Sequence, residues 1–300
     1  MALATPNVTP GVWDSTREGS FAGTVATGSA DGCDVALLGI PDDTGVQLNG
    51  GNTGAAQGPS AFRAALSGCG VEHPSGWSWP RVFDAGDVVP GASLAETHGR
   101  VTEAAGEIFS AGLLPVAVGG GHDLTFPFVR AATRAQAVSG GVYLDAHLDV
   151  RETDGSGMPF RRLIEDCGIC RLDVIGLDRA VNSEAHTRWY LANGGRIGAI
   201  TAEDPLPEGQ LFVSIDLDAI DASHAPGVSA RNPAGLTARE AADWARAAGR
   251  CPRVRCFDIM ELCPARDENG RTARLAAHLF LSFLRGLASR LDPSPSGGAG

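Results

Sequence analysis

A single-domain α/β three-layer sandwich, built on a mainly parallel sheet of about eight strands, is the fold class this sequence predicts. Three observations predict it. Short apolar runs alternate along the chain with longer, Ala/Arg-rich segments. Each run is bounded by Gly, Pro or Asp. The length of 300 residues and the 43% hydrophobic content suit one large globular domain, and no linker interrupts the rhythm. Strands that alternate with helices require crossover connections, and crossovers give parallel pairing.

Taken in order, residues 1–32 read as a poorly ordered N-terminal segment, 33–291 as the folded domain and 292–300 ("DPSPSGGAG") as a flexible tail. The strand candidates are "DVALLGI" at 34–40, "RVFDAGDV" at 81–88, "LLPVAVGG" at 113–120 and "GVYLDAH" at 141–147. They continue with "RLDVIGL" at 171–177, "RIGAI" at 196–200, "LFVSIDLD" at 211–218 and "RVRCFDIM" at 253–260. A helix is expected after Pro59, over "GPSAFRAAL". "LAETHGRVTEAAGEIFSAG" carries apolar residues at helical spacing and closes on Gly112. Thr237, three residues ahead of Glu240, reads as a capping box opening "TAREAADWARAAG". "TARLAAHLFLSFLRGLASRL" is apolar on nearly every side, so it is expected deep in the core. A long loop is expected over 151–170.

Composition excludes several function classes. A net charge of −11 and a pI near 5.0 argue against nucleic acid or an anionic membrane as the main partner. The chain has no lysine, which rules out Schiff-base and P-loop lysines. Seven cysteines and an N-terminus without a basic start or an apolar core predict reduced thiols in the cytoplasm. Cys167 and Cys170 form a lone C-x-x-C without a matching second pair, so inert thiols are expected. No apolar run reaches the length of a membrane span.

The chemistry is concentrated at strand ends. In "VYLDAHLD", Asp145, His147 and Asp149 recur every second position, which places them on one side of an extended chain. "FVSIDLDAID" repeats the pattern with Asp216 and Asp218, and Asp221 follows. "VAVGGGHD" ends a third run with three glycines and then His122. Sites in open parallel sheets form beyond the carboxyl ends of strands. Four carboxylates and two imidazoles gathered there repel one another unless cations sit between them. Oxygen-rich ligation with a few imidazoles suits Mn(II) better than zinc. Four carboxylates balance two divalent ions, and a pair about 3.5–4 Å apart activates a shared water. A chance convergence of all six groups is the weaker explanation. For a lone histidine the better prior is structural, so His73, His98, His186 and His278 are assigned no catalytic role, and His224 none either. The Gly-rich "NGGNTGAAQG" at 49–58 lacks the P-loop and dinucleotide signatures and reads as a substrate-side loop.

With "GGGHD", "DAHLD" and "SIDLDAIDASHAPGVSA", the chain resembles the ureohydrolase (arginase–agmatinase–formimidoylglutamase) family from about Ile40 to about Leu284. The resemblance implies an arginase/deacetylase-like fold, a ureohydrolase-like catalytic domain over 33–291 and two Mn(II) ions. His122 and Asp149 would hold one ion, His147 and Asp218 the other, and Asp145 and Asp216 would bridge both. Asp221 would brace its loop. "FDIMELCPARDENGRTARLAA" resembles the family's late motif, in which Glu261 would pair with a planar amidinium or guanidinium. Asp149 would move the proton to the leaving amine. Trimer-based homo-oligomers are implied by the same likeness.

Three features point to the formimidoylglutamase branch and histidine degradation: Gly121 before His122, no histidine in "GSGMPFR", and the Asn182-Ser183 pair. That branch usually carries an Arg where this chain has Asn52. Expected substrate-binding residues are therefore Glu261, Asn52, Arg151, Asn182 and Ser183, with Arg161 and Arg266 as further candidates for a substrate carboxylate. The alternatives are a hydrolase of guanidino substrates that releases urea, and a non-catalytic metal-binding homologue.

Overall fold

The computed structural model describes residues 5–13, 19–70, 78–198 and 200–291. The expected tail at 292–300 and His73 lie outside the described residues. Nine strands occur among the described residues: β1 (Val8–Thr9), β2 (Val35–Ile40), β3 (Val82–Val88), β4 (Leu114–Gly119), β5 (Gly140–Leu144), β6 (Arg171–Ile175), β7 (Gly195–Ile197), β8 (Leu211–Asp216) and β9 (Val254–Met260). Eight α-helices join them: α1 (Thr44–Leu48), α2 (Gly58–Ser67), α3 (Leu94–Ser110), α4 (Thr125–Gln136), α5 (Pro159–Cys167), α6 (Glu184–Ala192), α7 (Ala238–Arg250) and α8 (Arg271–Leu291). All the expected strands are present. Thr237 and Glu240 form the expected capping box at the start of α7.

The strands lie in one sheet of order β1-β3-β2-β4-β9-β8-β5-β6-β7, with only β1 antiparallel. Strands β2, β5 and β8 are buried along their whole length, as a sheet covered on both faces demands. Alternation divides their side chains between two cores. Leu37, Val118, Val213 and Ile259 pack with Phe62 of α2, Trp244 of α7 and Phe280 and Phe283 of α8. Leu38, Ala117, Phe212 and Met260 face the other way, against Val101 and Ile108 of α3, Phe128 of α4, Phe160 of α5 and Tyr190 of α6. Helix, sheet and helix are the three layers.

Two expectations are corrected. Part of the segment expected to be poorly ordered is built into the fold. Val8 and Thr9 pair with Val88 and Asp87 of β3, and Phe21 is buried against Phe280 with ring centroids 6.2 Å apart. Trp13 Nε1 donates to Asp84 Oδ2 at 2.6 Å, an oxygen that Arg63 also holds. The loop expected over 151–170 ends early, because Pro159 begins α5. Proline at a first helical turn costs no intrahelical bond and presets the backbone angle.

Candidate metal centre

Four adjacent strands, in the order β4-β9-β8-β5, aim their carboxyl ends at one point. His122 follows β4 after Gly120 and Gly121, Glu261 follows β9 directly, Asp216 is the last residue of β8, and Asp145 follows β5. Gly120 allows a close approach. A Cβ there would lie 1.7 Å from the Asp42 carbonyl oxygen, so the turn before His122 runs against the loop that starts at Asp42.

The expected convergence holds, but its local geometry is not a continued strand. β5 stops at Leu144, and Asp145 Oδ1 accepts from the His147 N–H at 2.6 Å. β8 stops at Asp216, and Asp216 Oδ1 accepts from the Asp218 N–H at 2.7 Å. Each motif uses its first carboxylate to fold the next two residues back in an Asx turn. Asp149 (φ 48°) and Glu261 (φ 67°) both occupy the left-handed region. Non-glycine residues are held there at a cost, commonly at functional sites.

Two groups of ligand-type side chains result, and they share a member. His122, Asp145, Asp149 and Asp216 form one; Asp145, His147 and Asp218 form the other. His122 Nδ1 lies 3.0 Å from Asp145 Oδ2, 3.0 Å from Asp149 Oδ2 and 3.1 Å from Asp216 Oδ2. His147 Nδ1 lies 3.3 Å from Asp145 Oδ1 and 3.1 Å from Asp218 Oδ2. Asp145 therefore reaches both groups, one oxygen to each. Asp216 faces the His122 group with Oδ2, while its Oδ1 is used on Asp218 N–H.

The electrostatics match a cation site. Burial alone would lower the His122 imidazole, but Asp216, Asp145 and Asp149 outweigh it and hold it well above its ordinary range. Burial likewise opposes protonation of His147, yet Asp145 and Asp218 push it up to about 12. Burial, then the charges of Asp149 and Asp218, raise Asp145 to about 6. Burial, with Asp218 adding, lifts Glu261 to about 8. A single ring N–H cannot serve three carboxylates, and among the described residues Glu261 Oε2 has no hydrogen-bond partner and Asp145 Oδ2 has only the ionic approach of His122. Divalent cations satisfy such an oxygen-rich set with two imidazoles, so the residues fit a metal pair.

A pH dependence follows. Without ions, the folded protein holds protons on His147, Asp145 and Glu261 more tightly than the unfolded chain does. Its stability therefore falls as pH rises: through about 6 and about 8 for the two acids, and progressively towards about 12 for His147. Metal ligation needs neutral imidazoles, so ion binding releases protons and tightens with pH. Ion-free protein is expected to melt at a lower temperature at pH ~8 than at pH ~5.5, and metal addition should abolish the trend. Calorimetric melts with and without metal measure both effects.

The surrounding cavity, about 150 Å³, is lined by the two histidines, Asp149, Asp216, Asp218, Glu261, Asn49, Arg151, Ser156 and Ser229, among others. Of the expected substrate contacts, Glu261 and Arg151 line it. Arg151 has no carboxylate partner among the described residues. Three others, Asn52, Asn182 and Ser183, do not line it and bond to protein groups instead. Asn52 bonds Ser229 through its N–H and its side-chain amide. Asn182 accepts from Leu148 N–H and donates to the Ala146 and Asp178 carbonyls, bracing the 146–148 loop. Ser183 caps α6 by accepting from His186 N–H. Arg161 pairs with Glu152 and Glu165 and lies 4.5 Å over Trp189, and Arg266 donates to the Val228 carbonyl. Asp221 accepts from Ser223 N–H within its own loop.

Sequence reasoning placed the loop at 49–58 on the substrate side, and Asn49 and Gly51 line the cavity, but it did not single out Asn49 or Ser229. With its amide oxygen turned to the 156–157 turn, Asn49 accepts from Gly157 N–H at 2.7 Å. His98, expected to be structural, is buried and bonds Asp123 Oδ2 at 2.9 Å.

Comparison with known proteins agrees with this geometry. The arginase family profile matches residues 33–285. A formimidoylglutamase of Halobacterium salinarum is 34% identical over 294 residues, covering 90% of this chain and 94% of that protein. The mitochondrial guanidino acid hydrolase of Homo sapiens is 31% identical, covering 85% and 79%. A crystal structure of Trypanosoma cruzi formiminoglutamase with Mn2+ superposes with a TM-score of 0.81 at 31% identity, covering 87% of this chain and 96% of that one. With a family profile spanning most of its length and near-full-length relatives above 30% identity, this chain belongs to the arginase family.

Proposed function

We propose that this chain is a dimanganese hydrolase of non-peptide C–N bonds in linear amidines, converting N-formimidoyl-L-glutamate to L-glutamate and formamide in histidine degradation. One observation carries it: two ligand groups joined through Asp145 open onto a cavity where Glu261 presents an unpaired carboxylate oxygen. Formimidoylglutamases among the relatives favour the amidine over a guanidino substrate.

His122, Asp149, Asp145 and Asp216 would hold one ion, and His147, Asp218 and Asp145 the other; Asp216 reaches only the His122 group, so of the two carboxylates expected to be shared Asp145 alone is. When bound, the pair supplies Lewis-acid activation of water near neutral pH. Glu261 Oε1 is fixed by the His122 N–H at 3.0 Å, so Oε2 is left to bind the substrate's amidinium. Asp149 accepts the proton of the attacking water and passes it to the departing amine of glutamate. Arg151, which lines the cavity and has no carboxylate partner among the described residues, binds a substrate carboxylate in place of the Arg missing at Asn52. Asn49 fixes the turn at Gly157 beside it.

No described helix is long and apolar enough to cross a membrane. A cytoplasmic, homo-oligomeric enzyme is part of the same reading. Manganese-loaded protein should release formamide from N-formimidoyl-L-glutamate and little or no urea from arginine or agmatine. Urea release alone would move the assignment to the guanidino branch, and two bound ions without any turnover would revive the non-catalytic one. Arg151→Ala should raise KM by about 10–100-fold with a smaller change in kcat, since a hydrogen bond to a charged group contributes about 1.5–3 kcal/mol. Steady-state kinetics checks the split.

A further inference from the structure

The two imidazoles of the centre are held differently. His147 leaves 31% of its side chain exposed, and no protein group bonds its Nε2 among the described residues. His122 is 1% exposed, and its Nε2 lies 3.1 Å from Ser214 Oγ. Ser214 Oγ in turn donates to Asp258 Oδ1 at 2.5 Å. Ser214 and Asp258 face each other across β8 and β9, and both are fully buried. Asp258 Oδ2 has no partner among the described residues.

Asp258 is not needed merely to satisfy hydroxyls. Thr125 Oγ1 lies 3.3 Å from Ser214 Oγ and could pair with it directly. Instead Thr125 also donates to Asp258 Oδ1, at 3.2 Å. Burying a carboxylate with one orphan oxygen is costly. What it achieves is direction. By taking the Ser214 hydrogen, Asp258 turns a lone pair of Ser214 toward His122 Nε2. That ring nitrogen must then carry the hydrogen, which leaves Nδ1, the atom facing Asp145, Asp149 and Asp216, free to ligate. Outer hydrogen bonds of this kind fix the tautomer and basicity of ligating histidines.

We propose that Asp258, acting through Ser214, is a positioning residue that sets the affinity of the His122 half of the metal centre and leaves the His147 half unaltered. The chain of contacts ends at His122 and touches neither His147 nor Asp218. The inference rests on the dinuclear reading. If wild-type protein fails to take up two Mn(II), that reading fails first. If it takes up two and the variants below match it, this inference alone fails.

The test is Mn(II) titration of ion-free wild type, Asp258→Ala, Asp258→Asn and Ser214→Ala, followed by calorimetry and electron paramagnetic resonance. In Asp258→Ala and Ser214→Ala, one binding step should weaken by about 10–100-fold and the other stay unchanged. Manganese that just saturates the wild type should give a coupled-pair spectrum there and an isolated-ion spectrum in these two variants. Asp258→Asn keeps an oxygen acceptor for Ser214 and should recover most of the affinity. If Asp258→Ala does not fold, the Asn and Ser214 variants decide. Two unchanged steps in Ser214→Ala, two steps weakened equally there, or an Asp258→Asn as weak as Ser214→Ala overturn the proposal.

Discussion

Asp145→Ala is expected to empty both halves of the centre together. Bound manganese should fall from two ions to less than one per chain, and turnover by about 10³-fold or more, since the metals supply several kcal/mol of transition-state stabilisation. The reason is geometric. Asp145 is the member common to both ligand groups, with Oδ2 toward His122 and Oδ1 toward His147. Its Oδ1 also accepts from His147 N–H and shapes the turn that presents that imidazole. Asp218→Ala, by contrast, removes a ligand from the His147 group only. Elemental analysis of the two dialysed variants separates the cases. Equal metal retention in both would sink the shared role of Asp145.

Glu261→Gln should leave metal content intact and lower kcat/KM for an amidine substrate by about 10²–10³-fold. Truncating one partner of a buried, hydrogen-bonded charge pair costs about 2–5 kcal/mol. Gln still accepts the His122 N–H through its amide oxygen, so the turn at His122 survives. It offers a neutral amide where the substrate cation needs a carboxylate. The left-handed backbone at Glu261 is already present in the folded chain, and Gln meets the same strain there as Glu. Kinetics together with metal analysis tests the prediction, and wild-type efficiency in the variant would remove Glu261 from the substrate site.

Much of this was legible in the sequence, for identifiable reasons. Parallel strands are buried on both faces, so β2, β4 and β8 appear as apolar runs that need no partner to be recognised. The six ligand-type residues were legible because carboxylates and imidazoles crowd strand ends for few other reasons. What the sequence could not carry was pairing at a distance. β1 is two residues long and exists through its contact with β3. Asn182 and Ser183 are residue types that serve equally as ligand contacts, braces and caps, and only the fold shows which. Asp258 lay unremarked in "FDIM", because its meaning depends on Ser214, 44 positions earlier.

The position of β9 in the sheet bears on how the protein is made. It is the last strand in the chain, yet it lies between β4 and β8. Until it inserts, His122 belongs to one half-sheet and the five acidic-turn ligands to another. A polypeptide still emerging from the ribosome, with β9 unmade, thus owns every ligand but cannot bring His122 to the others, although Asp145, His147 and Asp218 already share one half-sheet. The His122 half of the centre is complete only when the two halves are sewn together.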